Sequence, residues 1–293
     1  MLVEVLTRVA IVVTIMLAIS IPVVVGIGRF WSALNGWRSR VRAVAPIVAV
    51  LLPVLLLNRF ARQRLVNISR EYGIRMGGLF WNIEGEFILL FQEIATTPVT
   101  QYFSFIYIYA YAFLLIFPVI AYFTLSETRT LRRLLAAYTL NYALGITLYV
   151  LFHAWGPRQY LGFEIEWMLY DFQPAYQHLT REVNHNTNVF PSLHTSLAAT
   201  VAIFAYRTRR EFPLWTPIAI VIAVSVWIST MYLGIHWAID VVAGLVLAAV
   251  CVALADRFVG RWPVYDRLRP VYERFGTPVA ARLTWLSDRF GRT

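Results

Sequence analysis

The sequence has few charged residues, and it has no lysine at all. Only 14% of its 293 residues are charged, whereas 59% are hydrophobic, a balance outside the range of soluble globular domains. All 26 basic residues are arginine, and the net charge is +10. No polar linker separates the apolar segments, which favours one membrane bundle over two separate domains.

Cysteine is also nearly absent. The single cysteine, Cys251, lies inside an apolar run, and this count excludes an intramolecular disulfide and a cysteine-based metal site. No cluster of carboxylates able to hold Mg²⁺ is visible in the sequence. We therefore predict that the protein uses no metal and no cofactor.

Long apolar runs predict an all-α fold, a polytopic transmembrane helical bundle. Several runs approach the roughly 20 residues that a helix needs to cross a bilayer. We expect about seven spans, a six-helix core plus one N-terminal helix. They are expected at residues 5–27, 42–58, 101–123, 134–153, 192–206, 214–233 and 236–255.

Two segments need a separate interpretation. The first span has Glu4 and Arg8 at its start and lacks a clear small-residue cleavage site, so an uncleaved anchor is expected rather than a signal peptide. Residues 79–95 are apolar, but a spanning helix there would bury three carboxylates. This segment is therefore predicted to be an interfacial amphipathic helix. Its three acidic residues are Glu84, Glu86 and Glu93.

The distribution of arginine predicts the domain organisation and the orientation. We expect an N-terminal anchor with a basic loop (1–40), a membrane domain (41–256) and a basic cytoplasmic tail (257–293). Most arginines fall on the side of the tail, and excess basic residues mark the cytoplasmic face. Five arginines within 59–75 lie on the other side.

The expected location follows from that orientation. We predict a protein of the cell membrane whose 154–191 loop and active site face the extracytoplasmic side. The basic tail is expected to contact anionic lipid head groups. Nothing else in the sequence favours nucleic acid as a partner.

Two short stretches place a histidine at the mouth of an apolar segment. They are Phe190-Pro-Ser-Leu-His-Thr-Ser196 and Ser229-Thr-Met-Tyr-Leu-Gly-Ile-His-Trp-Ala-Ile-Asp240. On a helix, Asp240 would lie on the same face as His236, four residues earlier. A carboxylate that accepts from one ring nitrogen leaves the other free to attack or to accept a proton. Ionisable residues at a membrane boundary indicate function.

Groups suited to phosphate are expected at the same depth. The loop after the fourth span begins Trp155-Gly-Pro-Arg158, and a guanidinium offers a planar fork for phosphate. Ser192 adds a hydroxyl, and the start of the fifth span adds the backbone N–H groups of a helix N-terminus. His194 and His236 then suffice for phosphoryl transfer, one as nucleophile and one as acid.

These motifs resemble those of the type 2 phosphatidic acid phosphatase superfamily. Pro191-Ser192-x-His194 and His236-x-x-x-Asp240-x-x-x-Gly244 resemble its second and third motifs, and Gly156-Pro157-Arg158 stands where the first falls. The resemblance covers roughly residues 80–256. It implies metal-independent action on a membrane lipid phosphate or diphosphate.

The resemblance also implies a role for each matching residue. His236 would form a phosphohistidine, Asp240 would orient it, and His194 would protonate the leaving oxygen. Arg158 and Ser192 would bind the substrate phosphate.

Some positions depart from the usual pattern. Thr230 follows Ser229 where the third motif usually has arginine, Leu193 replaces a glycine, and the lysine of the first motif is not evident. These changes are similar to the inositol phosphorylceramide synthase-like branch, in which an alcohol intercepts the phosphoryl-enzyme. They favour a phosphotransferase with an alcohol or polyol acceptor over a simple phosphatase.

Alternatives remain open from the sequence. Asn184 and His185, in a polar loop, and Tyr232 are candidate contacts for the substrate headgroup, although a solvated loop and an aromatic belt also explain them. His194, His236 and Asp240 could in principle supply zinc ligands. A transporter or channel could use the same polar groups as a proton or anion path, but no second copy of either motif is found. A scaffolding protein would not require His, Arg and Asp side chains at one depth.

Overall fold

The computed structural model describes residues 2–162 and 188–259, and this part of the chain is almost entirely helical. The helices before the gap are α1 (Leu2–Ser20), α2 (Ile27–Asn35), α3 (Trp37–Tyr72), α4 (Gly77–Glu84), α5 (Leu90–Glu93), α6 (Thr97–Phe105), α7 (Tyr111–Phe123), α8 (Arg129–Leu151) and α9 (Pro157–Tyr160). Those after the gap are α10 (Leu193–Arg207), α11 (Trp215–Tyr232) and α12 (Ala238–Phe258). Two short strands, β1 (Ile74–Arg75) and β2 (Phe152–His153), pair in parallel.

Six helical segments are long and apolar enough to cross a membrane. They are Val3–Val25, Trp37–Ala61, Thr97–Phe123, Arg129–Leu151, Trp215–Tyr232 and Ala238–Phe258. Two of them contain a π-helical turn, at Ile21–Val25 and Ile106–Ala110. The prediction of an all-α polytopic membrane bundle is confirmed.

The span expected at 192–206 differs from the others in length. Helix α10 has only 15 residues, which corresponds to about 22 Å, less than the roughly 30 Å hydrocarbon core. Most of its residues are buried, because it packs against α7, α8 and α11. A helix surrounded by other helices need not match the lipid thickness by itself, and this explains its length.

The acidic segment before α6 does not form a spanning helix, as expected, but it is not one continuous amphipathic helix either. It consists of α4, a 3₁₀ turn at Gly85–Leu89 and α5. The break falls at Gly85, whose φ of 52° lies in the left-handed region that favours glycine. The break ends α4 at Glu84, whose side chain then reaches the bundle, as described below.

The main hydrophobic core lies between α7, α8, α10 and α11, where the side chains of Phe117, Leu134, Val201, Phe204 and Trp215 are buried together. The first two spans expose most of their surface and lie at its periphery. A smaller core at the motif end contains Phe80, Ile88, Ala154, Val189 and Trp237. This smaller core joins the segments that carry the polar motifs.

The chain divides into two compact units, Met1–Ala255 and Asp256–Thr293. The first contains all the helices up to the last turn of α12. The expected basic tail, 257–293, lies almost entirely outside the described residues, so its contact with anionic lipid stays a prediction.

Candidate active site

A tight turn between α11 and α12 positions His236. The turn contains Gly234 at φ 64°, a conformation that glycine adopts without steric cost. The backbone N–H groups of Ile235 and His236 both donate to the carbonyl of Thr230, at 3.0 Å each. His236 is thereby fixed immediately before α12, with only 2% of its surface exposed.

His236 and Asp240 form a buried pair. The histidine Nδ1 lies 3.3 Å from Asp240 Oδ2, and the same oxygen accepts from the Trp237 N–H at 2.8 Å. Burial lowers the pKa of His236, and a hydrogen bond to the Val189 backbone opposes this shift. A neutral imidazole has one N–H to donate, and the tautomer that donates it from Nδ1 to the carboxylate carries its lone pair on Nε2, which is the form required of a nucleophile.

Glu84 also takes part, and the sequence reasoning did not assign it to the site. Its carboxylate accepts from the Ala238 N–H at 2.9 Å and from the Ile239 N–H at 2.5 Å. It therefore caps the N-terminus of α12, where a negative charge is stabilised by the helix dipole. The isolated glutamates of an otherwise apolar segment were the signal, but their partner is 154 residues away in sequence.

The entrance of α10 packs directly on α12. The hydroxyl of Ser192 accepts from the Thr195 N–H at 3.3 Å and caps α10, while the Ser192 N–H donates to the Asp240 carbonyl at 3.1 Å. A Cβ on Gly244 would lie 2.5 Å from the Ser192 carbonyl oxygen. The glycine of the third motif is therefore needed for the close approach of the two helices.

His194 lies between aromatic rings at this entrance. Its ring stacks on Tyr107 with centroids 4.8 Å apart and contacts Tyr111 at 4.7 Å. The His194 and His236 ring centroids are 6.3 Å apart. The π-helical turn at Ile106–Ala110 contains Tyr107 and ends directly before Tyr111, and such turns often occur at functional sites. The sequence reasoning did not select either tyrosine, although both belong to a tyrosine-rich stretch of an apolar span.

Arg158 lies against the turn that positions His236. It is 2% exposed, and its backbone N–H donates to the Gly234 carbonyl at 3.2 Å. A Cβ on Gly156 would lie 2.6 Å from the Ile235 carbonyl oxygen, so a side chain there would push the two motifs apart. The five residues predicted for the catalytic and phosphate-binding roles thus lie at one end of the bundle, on segments that contact one another.

Of the three candidate headgroup contacts, only Tyr232 lies among the residues that the structure describes. Tyr232 is fully buried, with its hydroxyl 2.7 Å from Thr100 Oγ1 and its ring 4.7 Å from Phe103. Its position is accounted for by packing, and its headgroup role stays a prediction. Asn184 and His185 lie outside the described residues.

The neighbouring Asn188 has a clear structural role. Its Nδ2 donates to the carbonyls of Tyr149 and Phe152, and its Oδ1 accepts from the N–H of Ala154. These bonds hold the end of α8 against the segment that leads into α10.

Two departures from the usual motifs have structural explanations. Leu193, which replaces a glycine, packs against Gly145 on α8. A Cβ on Gly145 would lie only 2.5 Å from the Leu193 side chain, so the glycine at 145 makes room for the leucine. Thr230, which replaces an arginine, is buried and donates its hydroxyl to the Trp227 carbonyl at 2.8 Å. It therefore contributes no cation to the site.

The site combines a buried His–Asp pair, a second histidine and an arginine at one end of a polytopic membrane bundle. No group of three or more His, Cys, Asp or Glu side chains in the described residues could hold a metal ion. The family model described as the PAP2 superfamily matches residues 82–254, more than half of the chain. The chain belongs to the PAP2 superfamily, whose members are phosphatases or phosphotransferases.

The other two comparisons give no relative. Neither a curated protein nor a solved structure matches the chain significantly.

Proposed function

We propose that this protein is a membrane lipid phosphatase or phosphotransferase that works through a phosphohistidine on His236. The observation that carries the proposal is the His236–Asp240 pair, with His194 at a centroid distance of 6.3 Å. This arrangement supplies a nucleophile, its orienting anion and a proton donor within the reach of one phosphate group.

The reaction proceeds in two balanced steps. In the first, His236 Nε2 attacks phosphorus, the N–P bond forms, and the P–O bond to the lipid breaks as the leaving oxygen takes a proton from His194. In the second, water or an alcohol gives a proton to His194 and attacks the same phosphorus. The N–P bond then breaks and both histidines return to their starting state.

The charge of the phosphate is stabilised by groups already at the site. Arg158 supplies a guanidinium fork, Ser192 supplies a hydroxyl, and α10 begins at the next residue, so its N-terminus contributes the positive end of a helix dipole. Donors fixed in a buried site stabilise developing charge without reorganisation. The proposed chemistry therefore proceeds without a metal and survives chelation with EDTA.

The motif departures support an alcohol acceptor over water. The Pro-Ser-Leu-His reading and the absence of arginine at 230 are similar to the inositol phosphorylceramide synthase-like branch. We accordingly propose a phosphorylated membrane lipid as donor and a polyol as acceptor, with Asn184, His185 and Tyr232 as candidate headgroup contacts. The excess of arginine on the tail side supports an extracytoplasmic active site. No observation favours the transporter alternative.

The test incubates the purified full chain with lipid monophosphates, diphosphates and phosphoinositol lipids, with and without polyols and EDTA. We expect EDTA-resistant turnover, new phospholipid species when a polyol is present, and an acid-labile phosphoenzyme. His236→Ala should lower turnover by at least about 10⁴-fold, because no nucleophile remains. Turnover by wild-type protein that requires added Mg²⁺ or Zn²⁺, or that survives in His236→Ala, would contradict the mechanism.

A further inference from the structure

A second cluster of basic and aromatic side chains lies beside the phosphate site, outside the three motifs. In the β1–β2 pair, Arg75 lies opposite His153, which puts both side chains on one face. The His153 ring contacts Trp155 edge-on, with ring centroids 5.9 Å apart. The Arg70 Cζ atom lies 6.0 Å from the centroid of the Trp155 ring. We define these four residues, Arg70, Arg75, His153 and Trp155, as the Trp155 cluster.

The hydrogen-bonding capacity of this cluster is incompletely used. His153 is 3% exposed, and neither ring nitrogen has a hydrogen-bond partner among the residues that the structure describes. A buried polar ring without partners is unfavourable unless a ligand or water supplies them. Burial, Arg70 and Arg75 all lower the pKa of His153, so the neutral ring can donate one N–H while the arginines supply charge.

The cluster is directly connected to the reaction centre. The Trp155 carbonyl accepts from Trp237 Nε1 at 2.9 Å, and Trp237 follows the nucleophile His236. Arg158 is three residues after Trp155, which limits their separation to roughly 10 Å. A second anion bound at the cluster would thus be near enough to the transferred phosphate for both groups to belong to one small headgroup or acceptor.

The cluster also accounts for an anomaly in the charge distribution. Arg70 and Arg75 lie on the side opposite the other basic loops, where excess arginine is not expected. Both are exposed, as is Trp155 at 41%, so the cluster is open to a ligand. The Arg70 guanidinium over the indole of Trp155 and the guanidinium of Arg75, which is paired with His153, provide the charge and the planar donors that phosphate-type anions require.

We propose that the Trp155 cluster is a second anion subsite. It binds a phosphate or carboxylate group that the donor headgroup or the acceptor carries in addition to the transferred phosphate. This inference rests on the proposed function for the placement of the transferred phosphate. It predicts a preference for substrates with two anionic groups separated by a short polyol.

The test measures binding of glycerol 1,3-bisphosphate and glycerol 3-phosphate to the full chain in uncharged nanodiscs by calorimetry. We expect the bisphosphate to bind about tenfold more tightly, because it gains charge-assisted hydrogen bonds. The Arg70→Gln/Arg75→Gln double variant should lose this preference and retain its affinity for the monophosphate. Arg64→Gln, a matched exposed arginine on α3, should behave as wild type.

Turnover then identifies the source of the second anion. If the double variant has a higher KM only for doubly anionic donors, the subsite binds the donor. If its KM rises only for doubly anionic acceptors, the subsite binds the acceptor. Equal binding of both probes by wild type, or an equal loss of both in the double variant, overturns the subsite. An effect that requires anionic nanodiscs also overturns it, since the arginines would then serve the bilayer. A bisphosphate preference without turnover of any lipid phosphate would contradict the proposed function but not the subsite.

Discussion

Helix α10 contributes to two buried polar clusters, and they differ in how fully their hydrogen bonds are satisfied. The Asn141 cluster contains Asn141, Ser196 and Thr200. Asn141 Nδ2 donates to Thr200 Oγ1 at 3.1 Å and to the Ala137 carbonyl at 2.8 Å, and Asn141 Oδ1 accepts from Ser196. The Thr200 hydroxyl in turn donates to the Ser196 carbonyl.

The motif cluster, at the entrance of the same helix, contains His194, Thr195, His236 and Asp240. Asp240 Oδ1 and Thr195 Oγ1 are buried there without a hydrogen-bond partner in the described part of the chain. Satisfied buried networks rigidify a core, whereas unsatisfied ones are costly unless a ligand completes them. We interpret the Asn141 cluster as serving the fold and, under the proposed function, the motif cluster as serving a ligand.

Asp240→Asn should give the largest effect that separates the two clusters. The side-chain amide keeps the shape of the carboxylate but removes the anion that orients Nδ1 of His236, so the imidazole can adopt the wrong tautomer. We expect kcat to fall by about 10²–10⁴-fold, with KM within about twofold of wild type. Steady-state kinetics on the best lipid substrate measure this, and a loss below tenfold would contradict the orienting role.

His194→Ala should reveal the acid through the leaving group. With a lipid alcohol as leaving group, loss of the proton donor should lower kcat by about 10²–10³-fold. With a nitrophenolate leaving group, which departs without protonation, the loss should be under about tenfold. The ratio of the two losses is the readout. Equal losses with both leaving groups would show that His194 is not the acid.

Glu84→Gln tests whether the cap on α12 positions the motif cluster. The amide retains only one acceptor oxygen, so one of the two hydrogen bonds to Ala238 and Ile239 is lost. The loss of one bond to a charged group, about 1.5–3 kcal/mol, should lower kcat by about tenfold and leave KM unchanged. Glu86→Gln, a matched and exposed change, should have no effect. A change in Tm alone, with normal kcat, would limit Glu84 to stability.

The parts of the site that lie close together in sequence could be predicted, whereas the parts that depend on contacts between distant segments could not. His236 and Asp240 are four residues apart, so the spacing alone predicted that the two side chains would meet, although α12 begins at Ala238 and only Asp240 lies on it. Gly244 was visible as a motif position, but the sequence did not show why glycine is needed there. A Cβ would lie 2.5 Å from the Ser192 carbonyl oxygen, and this close approach exists only because two helices pack together. The position of Glu84 at the start of α12 depends on contacts across 154 residues, which no local pattern encodes.

The fold shows the same division. The apolar runs predicted all six segments that are long and apolar enough to cross a membrane, because a lipid-facing helix must match the bilayer thickness. The run at 192–206 was also predicted as a span, but α10 is shorter than a lipid-facing helix requires, since its neighbours in the bundle replace the lipid. The break at Gly85 was also missed, because a local change of direction needs only one glycine and leaves the apolar pattern intact.

Asn141→Leu should have the smallest effect on activity and tests the comparison from the other side. The apolar side chain removes the hydrogen-bond partner of Ser196 and Thr200, so the free energy of unfolding should fall by about 1–3 kcal/mol. Turnover per folded molecule should stay within about twofold of wild type, because no atom of this cluster takes part in the proposed reaction. Denaturant unfolding in detergent and kinetics on the folded fraction measure the two quantities separately.

Thr147→Val is the matched control, since it removes an exposed hydroxyl from the same helix and should change stability by less than about 0.5 kcal/mol. If Asn141→Leu instead abolishes turnover at unchanged stability, the satisfied cluster is functional too, and completeness of hydrogen bonding does not distinguish fold from site in this protein.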